Sequence, residues 1–183
     1  MTQSPGESLS YLVLPAGPAD AEALARVHVA AWRETYSGLL PDAFLARMSE
    51  DSHALRFRRE LTRPRKGEMT LAAVNRSGLF GYVSAGPSRA YAEGEAEIST
   101  LYLLRAAQGR GVGRRLLTDA ARVLAAQGWR SLMISVLADN AHARGFYEHL
   151  GGRADPPRRE PGPGGTMISE VSYRWADIGF LAT

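Results

Sequence analysis

The chain has 183 residues, is 45% hydrophobic, carries a formal charge of +3 and contains no cysteine. That length can bury one sizeable core, so a single domain over residues 1–183 is expected, and the lack of cysteine excludes disulfides, thiolate zinc sites and a cysteine nucleophile. No run approaches the ~18 apolar residues of a membrane span and no signal-peptide pattern opens the chain, so a cytoplasmic protein with no membrane attachment is expected.

Residues 9–14 alternate enough to form a first strand, which 15–18 break. Asp20 can begin a helix over 21–36, with Leu24, Val27, His28 and Ala31 at helical spacing and Gly38 closing it. Pro41 opens a second helix to Met48, and 50–61 reads as a third with Leu55 and Phe57 as candidate anchors. Beyond 63–67 the period changes to two, and strands at 69–74 and 79–85 around a turn at 75–78 predict an antiparallel hairpin. A strand at 95–104, a helix at 111–127, a strand at 131–137 and a helix at 140–150 follow, an order that implies a crossover and parallel pairing. Residues 155–165 hold four prolines and three glycines and read as a surface loop between a short strand near Gly152 and a last strand at 167–175. The fold class is α/β of mixed α+β type, a twisted, mostly antiparallel sheet of six to seven strands with helices on its faces.

Glycines 109, 111 and 113 lie between a strand and a helix, where backbone N–H groups can approach a ligand without an intervening Cβ. The unpaired amides and the helix dipole favour an anion, and Arg110, Arg114 and Arg115 add charge suited to a pyrophosphate. A Walker pattern is absent, and counting from Gly109 or Gly111 gives no third glycine for a dinucleotide fingerprint. A plain glycine-rich turn with solvated arginines is the alternative.

Leu101-Tyr102-Leu103 followed by Gln108-Gly109-Arg110-Gly111-Val112-Gly113, and then the block from Asn140 through Phe146-Tyr147 to Gly151, resembles the two signatures of the GCN5-related N-acetyltransferase (GNAT) superfamily. The match spans about 95–151. It departs at Arg105, where many members have proline and the loop is expected to loosen, and at Gly152, where phenylalanine is usual and packing is expected to weaken. The resemblance implies a three-layer GNAT fold and an N-acetyltransferase moving an acetyl group from acetyl-CoA to a primary amine by direct attack in a ternary complex. It implies CoA contacts from Leu101, Leu103, Gln108, Gly109, Arg110, Gly111, Val112, Gly113, Arg114, Asn140 and Tyr147, with backbone groups near Leu101 and Leu103 reaching the pantetheine arm where the strand splays from its neighbour.

Tyr147 lies seven residues after Asn140, on the same helix face. The resemblance makes it the general acid for the thiolate, whose conjugate acid has a pKa of ~8.5, and a core aromatic is the alternative. Asn140 suits an N-cap. Strand alternation would put Glu95, Glu97, Ser99, Leu101 and Leu103 on one face, making Glu97 a candidate base for an ammonium of pKa ~10, with Glu95 as rival and a solvated glutamate as alternative. Trp32 and Tyr36, at i and i+4, are candidates for the acceptor pocket or an aromatic pair packed on the sheet. His142 and His149 lack a third ligand at metal spacing, so no metal is expected. The arginines are interspersed with acids and no recognition motif is present, so nucleic acid is not an expected partner. Small-molecule and peptide amines both fit as acceptors, self-association as a homodimer fits the resemblance, and a non-catalytic acyl-CoA sensor is the alternative function.

Overall fold

Period-two strands and period-3.6 helices resolve, in the computed structural model of residues 10–89 and 94–182, into an eight-stranded sheet with helices on both faces. In chain order the elements are β1 (Leu12–Pro15), α1 (Ala21–Tyr36), α2 (Asp42–Ala46), α3 (Glu50–Thr62), β2 (Met69–Asn75), β3 (Gly78–Pro87) and β4 (Glu95–Leu103). They continue with α4 (Val112–Ala126), β5 (Ser131–Leu137), α5 (Ala141–His149), β6 (Arg153–Ala154), β7 (Arg158–Pro161), β8 (Met167–Trp175) and α6 (Gly179–Ala182). The spatial order is β1-β2-β3-β4-β5-β8, with β6 and β7 both on the outer side of β8, and among the strands of the described residues only β4 and β5 pair in parallel. The predicted start of the first strand at Leu9 lies outside the described residues. Among the described residues, no helix is long and apolar enough to cross a membrane.

One face of the sheet packs Ile98, Leu132, Ile134, Tyr173 and Trp175 against Leu116, Leu117 and Leu124 of α4 and Tyr147 of α5. The other packs Tyr82 against Leu24 and Val27 of α1 and Phe57 of α3. In α3 only one of the two expected anchors is buried, Phe57 at 3% exposure against 67% for Leu55. Two residues apart on a helix means ~200° around its axis, so they cannot share a face. The stretch expected to be a loop contains β7, whose Arg158 and Glu160 pair with Glu170 and Ile168. Three of its prolines lie outside the strand and Pro161 ends it at the sheet edge, where a missing N–H is tolerated. That strand takes the count above six to seven.

Two irregularities position the site. The β4–β5 pairing runs only from Glu95 and Ser131 to Ile98 and Ile134, although β4 continues to Leu103 and β5 to Leu137, so the strands splay. On the other side of β4, Ser84 faces Thr100 while Ala85 faces Ile98, leaving Ser99 as the extra residue of a bulge. The bulge overturns the expected single face, because Leu101 and Leu103 pack toward the α4 core with Ala96 and Ile98, and Tyr102 packs toward α1 and α3. Glu95 and Glu97 therefore lie on the face opposite Leu101 and Leu103.

Candidate active site

The splay opens a cavity of about 810 Å³, lined by residues 99–103 of β4, 134–136 of β5, Gln108, Gly109, Gly111, Gly113 and Arg114, the N-terminal half of α5 with Tyr147, and Tyr36 at the end of α1. Leu104 N–H bonds Phe80 C=O on β3 at 3.0 Å. By alternation the N–H and C=O of Leu101 and Leu103 turn the other way, into the gap. Gln108 Nε2 donates to Leu103 C=O at 3.2 Å, tying the cradle to the strand.

Gly109 and Gly111 have φ of +70° and +77°, and a Cβ at either would meet nothing within 4 Å, so backbone conformation and not space is what requires glycine there. Gly111 is the N-cap of α4 and has no side chain to cap with; the first helical bond runs from Arg115 N–H to Gly111 C=O at 3.0 Å. Among the described residues, the amides of 109–114 have no acceptor. Free N–H groups converge at the positive end of a 15-residue helix, a seat for an anion. Arg114 lines the cavity, whereas Arg110 is exposed beside it and Arg115 turns to Asp119 at 2.6 Å. Val112 is 1% exposed in the core, so only its N–H is available to a ligand.

On α5, Asn140 is 8% exposed, lines the cavity and caps its helix by accepting from Ala143 N–H at 3.1 Å. Tyr147, in the last turn of α5, is buried against Phe146, Tyr173 and Trp175 and still lines the cavity. Burial, and secondarily the nearby Tyr36, raise its phenol above the ordinary value. Arg144 holds the helix in place, donating to Ala138 C=O and to Tyr173 OH, each at 3.1 Å.

The two departures from the GNAT pattern are compensated. Arg105 N–H donates to Glu34 at 2.8 Å and its guanidinium donates to Glu34 C=O at 2.7 Å, so the loop is tied to α1 by a bond a proline could not make. At Gly152 a Cβ would sit 2.8 Å from Trp175, whose indole N–H bonds Leu150 C=O at 2.8 Å. Trp175 fills the space and the packing is intact.

Tyr36 and Tyr102 both line the cavity, their hydroxyls 3.0 Å apart. Trp32 does not line the cavity; it packs behind Tyr36, ring centroids 4.8 Å apart, and against Phe44. His28, 2% exposed, bonds Tyr82 OH at 2.6 Å, and desolvation, followed by His53 and Arg56, lowers its pKa to about 3. Glu97 is 5% exposed and both its oxygens accept from Arg89, including a 2.9 Å bond from the Arg89 N–H. Glu95 is ion-paired to Arg174 and accepts from Ser88. Neither glutamate lines the cavity. Glu170 of β8 is half-buried and does not line the cavity either. Only the alternation of Glu170, Ser172 and Arg174 after Ile168 hints at a polar row on one face of β8, and the chain does not announce that β8 lies beside β5.

The model of the Acetyltransferase (GNAT) family matches residues 28–152, a span holding the splayed strands, the cradle, Asn140 and Tyr147. The chain belongs to the GNAT family. It is similar to the uncharacterized N-acetyltransferase YuaI of Bacillus subtilis, 29% identical over 165 residues that cover 90% of this chain and 92% of that one. The fold is similar to PaiA N-acetyltransferase from Thermoplasma acidophilum in complex with coenzyme A, with a TM-score of 0.70, 21% identity and coverage of 88% and 98%. It is also similar to YncA from Salmonella typhimurium with acetyl-CoA, with a TM-score of 0.69, 19% identity and coverage of 92% and 95%. As a GNAT member the chain is an N-acetyltransferase.

Proposed function

We propose that the chain transfers an acetyl group from acetyl-CoA to a primary amine by direct attack in a ternary complex. The observation that carries this reading is the uncapped N-terminus of α4 opening onto the same splay that Tyr147 lines. The free amides of 109–114 with Arg114 and Arg110 suit a pyrophosphate, and the gap-facing backbone of Leu101 and Leu103 with Asn140 suits the amide-bearing pantetheine arm. The complexes of PaiA with coenzyme A and of YncA with acetyl-CoA support that fit. Acetyl-CoA supplies an activated thioester.

Tyr147, kept protonated by burial, donates a hydrogen bond to the departing sulfur. The same desolvation raises the proton affinity of a thiolate, so donor and acceptor stay matched. Tyr36, held by Tyr102 and lining the same cavity, is the side chain assigned to the acceptor in this reading. The chain has no cysteine, which fits transfer without an acetyl-cysteine intermediate. Initial-velocity patterns with acetyl-CoA and amine both varied test the reading. Intersecting lines are expected, parallel lines would contradict direct attack, and tight cofactor binding without amine-dependent thiol release would favour a sensor.

A further inference from the structure

The nitrogen of an aliphatic acceptor arrives as an ammonium of pKa ~10 and must lose a proton before it can attack. Glu97 is badly disposed for this, since Arg89 occupies both its oxygens. Glu170 is differently placed. It pairs across the sheet with Leu137, the end of the splayed β5, and Leu137 packs in one cluster with Tyr36, Trp32 and Ile168. Alternation along β8 turns Glu170 to the same face as Ile168, toward α1 and α2. It is half-buried, and among the described residues its carboxylate makes no hydrogen bond or ion pair. Glu170 itself lines neither the first cavity nor a second one of about 600 Å³, but its cross-strand partner Leu137 and its chain neighbour Ser169 line the second, and Tyr36, within its electrostatic reach, lines the first.

Resting on the transferase reading above, we propose that Glu170 is the carboxylate that deprotonates the acceptor amine. Its charged surroundings are Glu97 and Arg89 from the β3–β4 side, Glu160 and the cross-strand Arg158 of β7, and the Tyr36 phenol of α1. Burial and the neighbouring carboxylates raise its proton affinity and Arg89 partly offsets them, which suits a base. Glu170 in turn helps raise the Tyr36 phenol, so the two groups lie within electrostatic reach. The protons balance as follows. The ammonium gives its first proton to Glu170, which passes it to solvent; the nitrogen lone pair forms the N–C bond as the C–S bond breaks and sulfur keeps the electron pair. The second proton shed by nitrogen balances the one sulfur takes through Tyr147.

The test compares wild type, Glu170→Gln, Glu170→Asp and Glu97→Gln on the fastest amine of a panel and on the matching alkoxyamine, whose nitrogen is already neutral at pH 7. For Glu170→Gln, kcat/KM for the amine is expected to fall at least ~10-fold at pH 7 and recover toward pH 9.5, as the free-amine fraction rises. The alkoxyamine should change less than about twofold, Glu170→Asp should retain part of the activity, and calorimetric acetyl-CoA affinity should be unchanged. Equal losses on both acceptors, or a selective amine loss in Glu97→Gln and not in Glu170→Gln, would overturn the assignment while leaving the transferase reading intact. A wild type that releases no thiol with any amine would bring down both.

Discussion

Substituting Gly111 by alanine probes the cradle at its most demanding point. Gly111 holds φ of +77° in open space, so the added methyl costs nothing in contacts and acts only through the left-handed backbone. For an L-residue that conformation costs roughly 1–2 kcal/mol, which in a domain of this size lowers Tm by about 2–8 °C. If the backbone relaxes instead, the amides on either side turn away from the cavity. Losing even one hydrogen bond to a charged phosphate is worth about 1.5–3 kcal/mol, or roughly 10- to 100-fold in affinity. Thermal melting with and without CoA, paired with calorimetric CoA titration, reads both effects. Gly111→Asn should be milder, because asparagine tolerates the left-handed region better. A Gly111→Ala protein with Tm within about 1 °C and CoA affinity within about twofold of wild type would refute the idea that this backbone conformation holds the cradle.

Stability should depend on His28 between pH 6.5 and 5. Its folded pKa is lowered to about 3, so the unfolded chain binds the extra proton, and stability present above pH ~6.5 is lost as pH falls toward 3. At pH 5 the loss is about 2 kcal/mol, and urea melts of His28→Gln should lose that slope. Gly152→Phe, which restores the usual GNAT residue, should destabilise by about 2 kcal/mol or more, since its Cβ alone would approach Trp175 to 2.8 Å. Combining it with Trp175→Ala should recover part of the loss in the same melts, and full additivity would argue against a shared space.

The turn was legible because its geometry is local: glycines at 109 and 111 shape a strand-to-helix turn through their own backbone, and Arg114 follows in the first helical turn. The shared placement of Asn140 and Tyr147, seven residues apart along α5, was legible for the same reason. What the chain concealed depends on pairing between distant segments. The bulge at Ser99 exists only relative to β3, and it sends Glu95 and Glu97 to the face opposite Leu101 and Leu103. Arg89 reaches Glu97 only because the two strands are adjacent, and Glu170 meets the end of β5 only because β8 inserts between β5 and the outer strands. Trp175 replaces the packing that Gly152 gives up from 23 positions along the chain, a compensation no local window reveals. Arg105, expected to loosen its loop, anchors it through an N–H that is invisible until Glu34 is placed beside it.

Amine-dependent thiol release from acetyl-CoA, followed with a thiol reagent for wild type and Tyr147→Phe side by side, tests the central claim most directly. The chain has no cysteine and so gives no background. Release that requires an amine and falls at least ~10-fold in Tyr147→Phe, about 1.4 kcal/mol of barrier, with acetyl-CoA affinity unchanged, is the expected result. Equal rates in the two proteins would remove Tyr147 from the chemistry, and no release from a wild type that binds acetyl-CoA would contradict the transferase reading of this site.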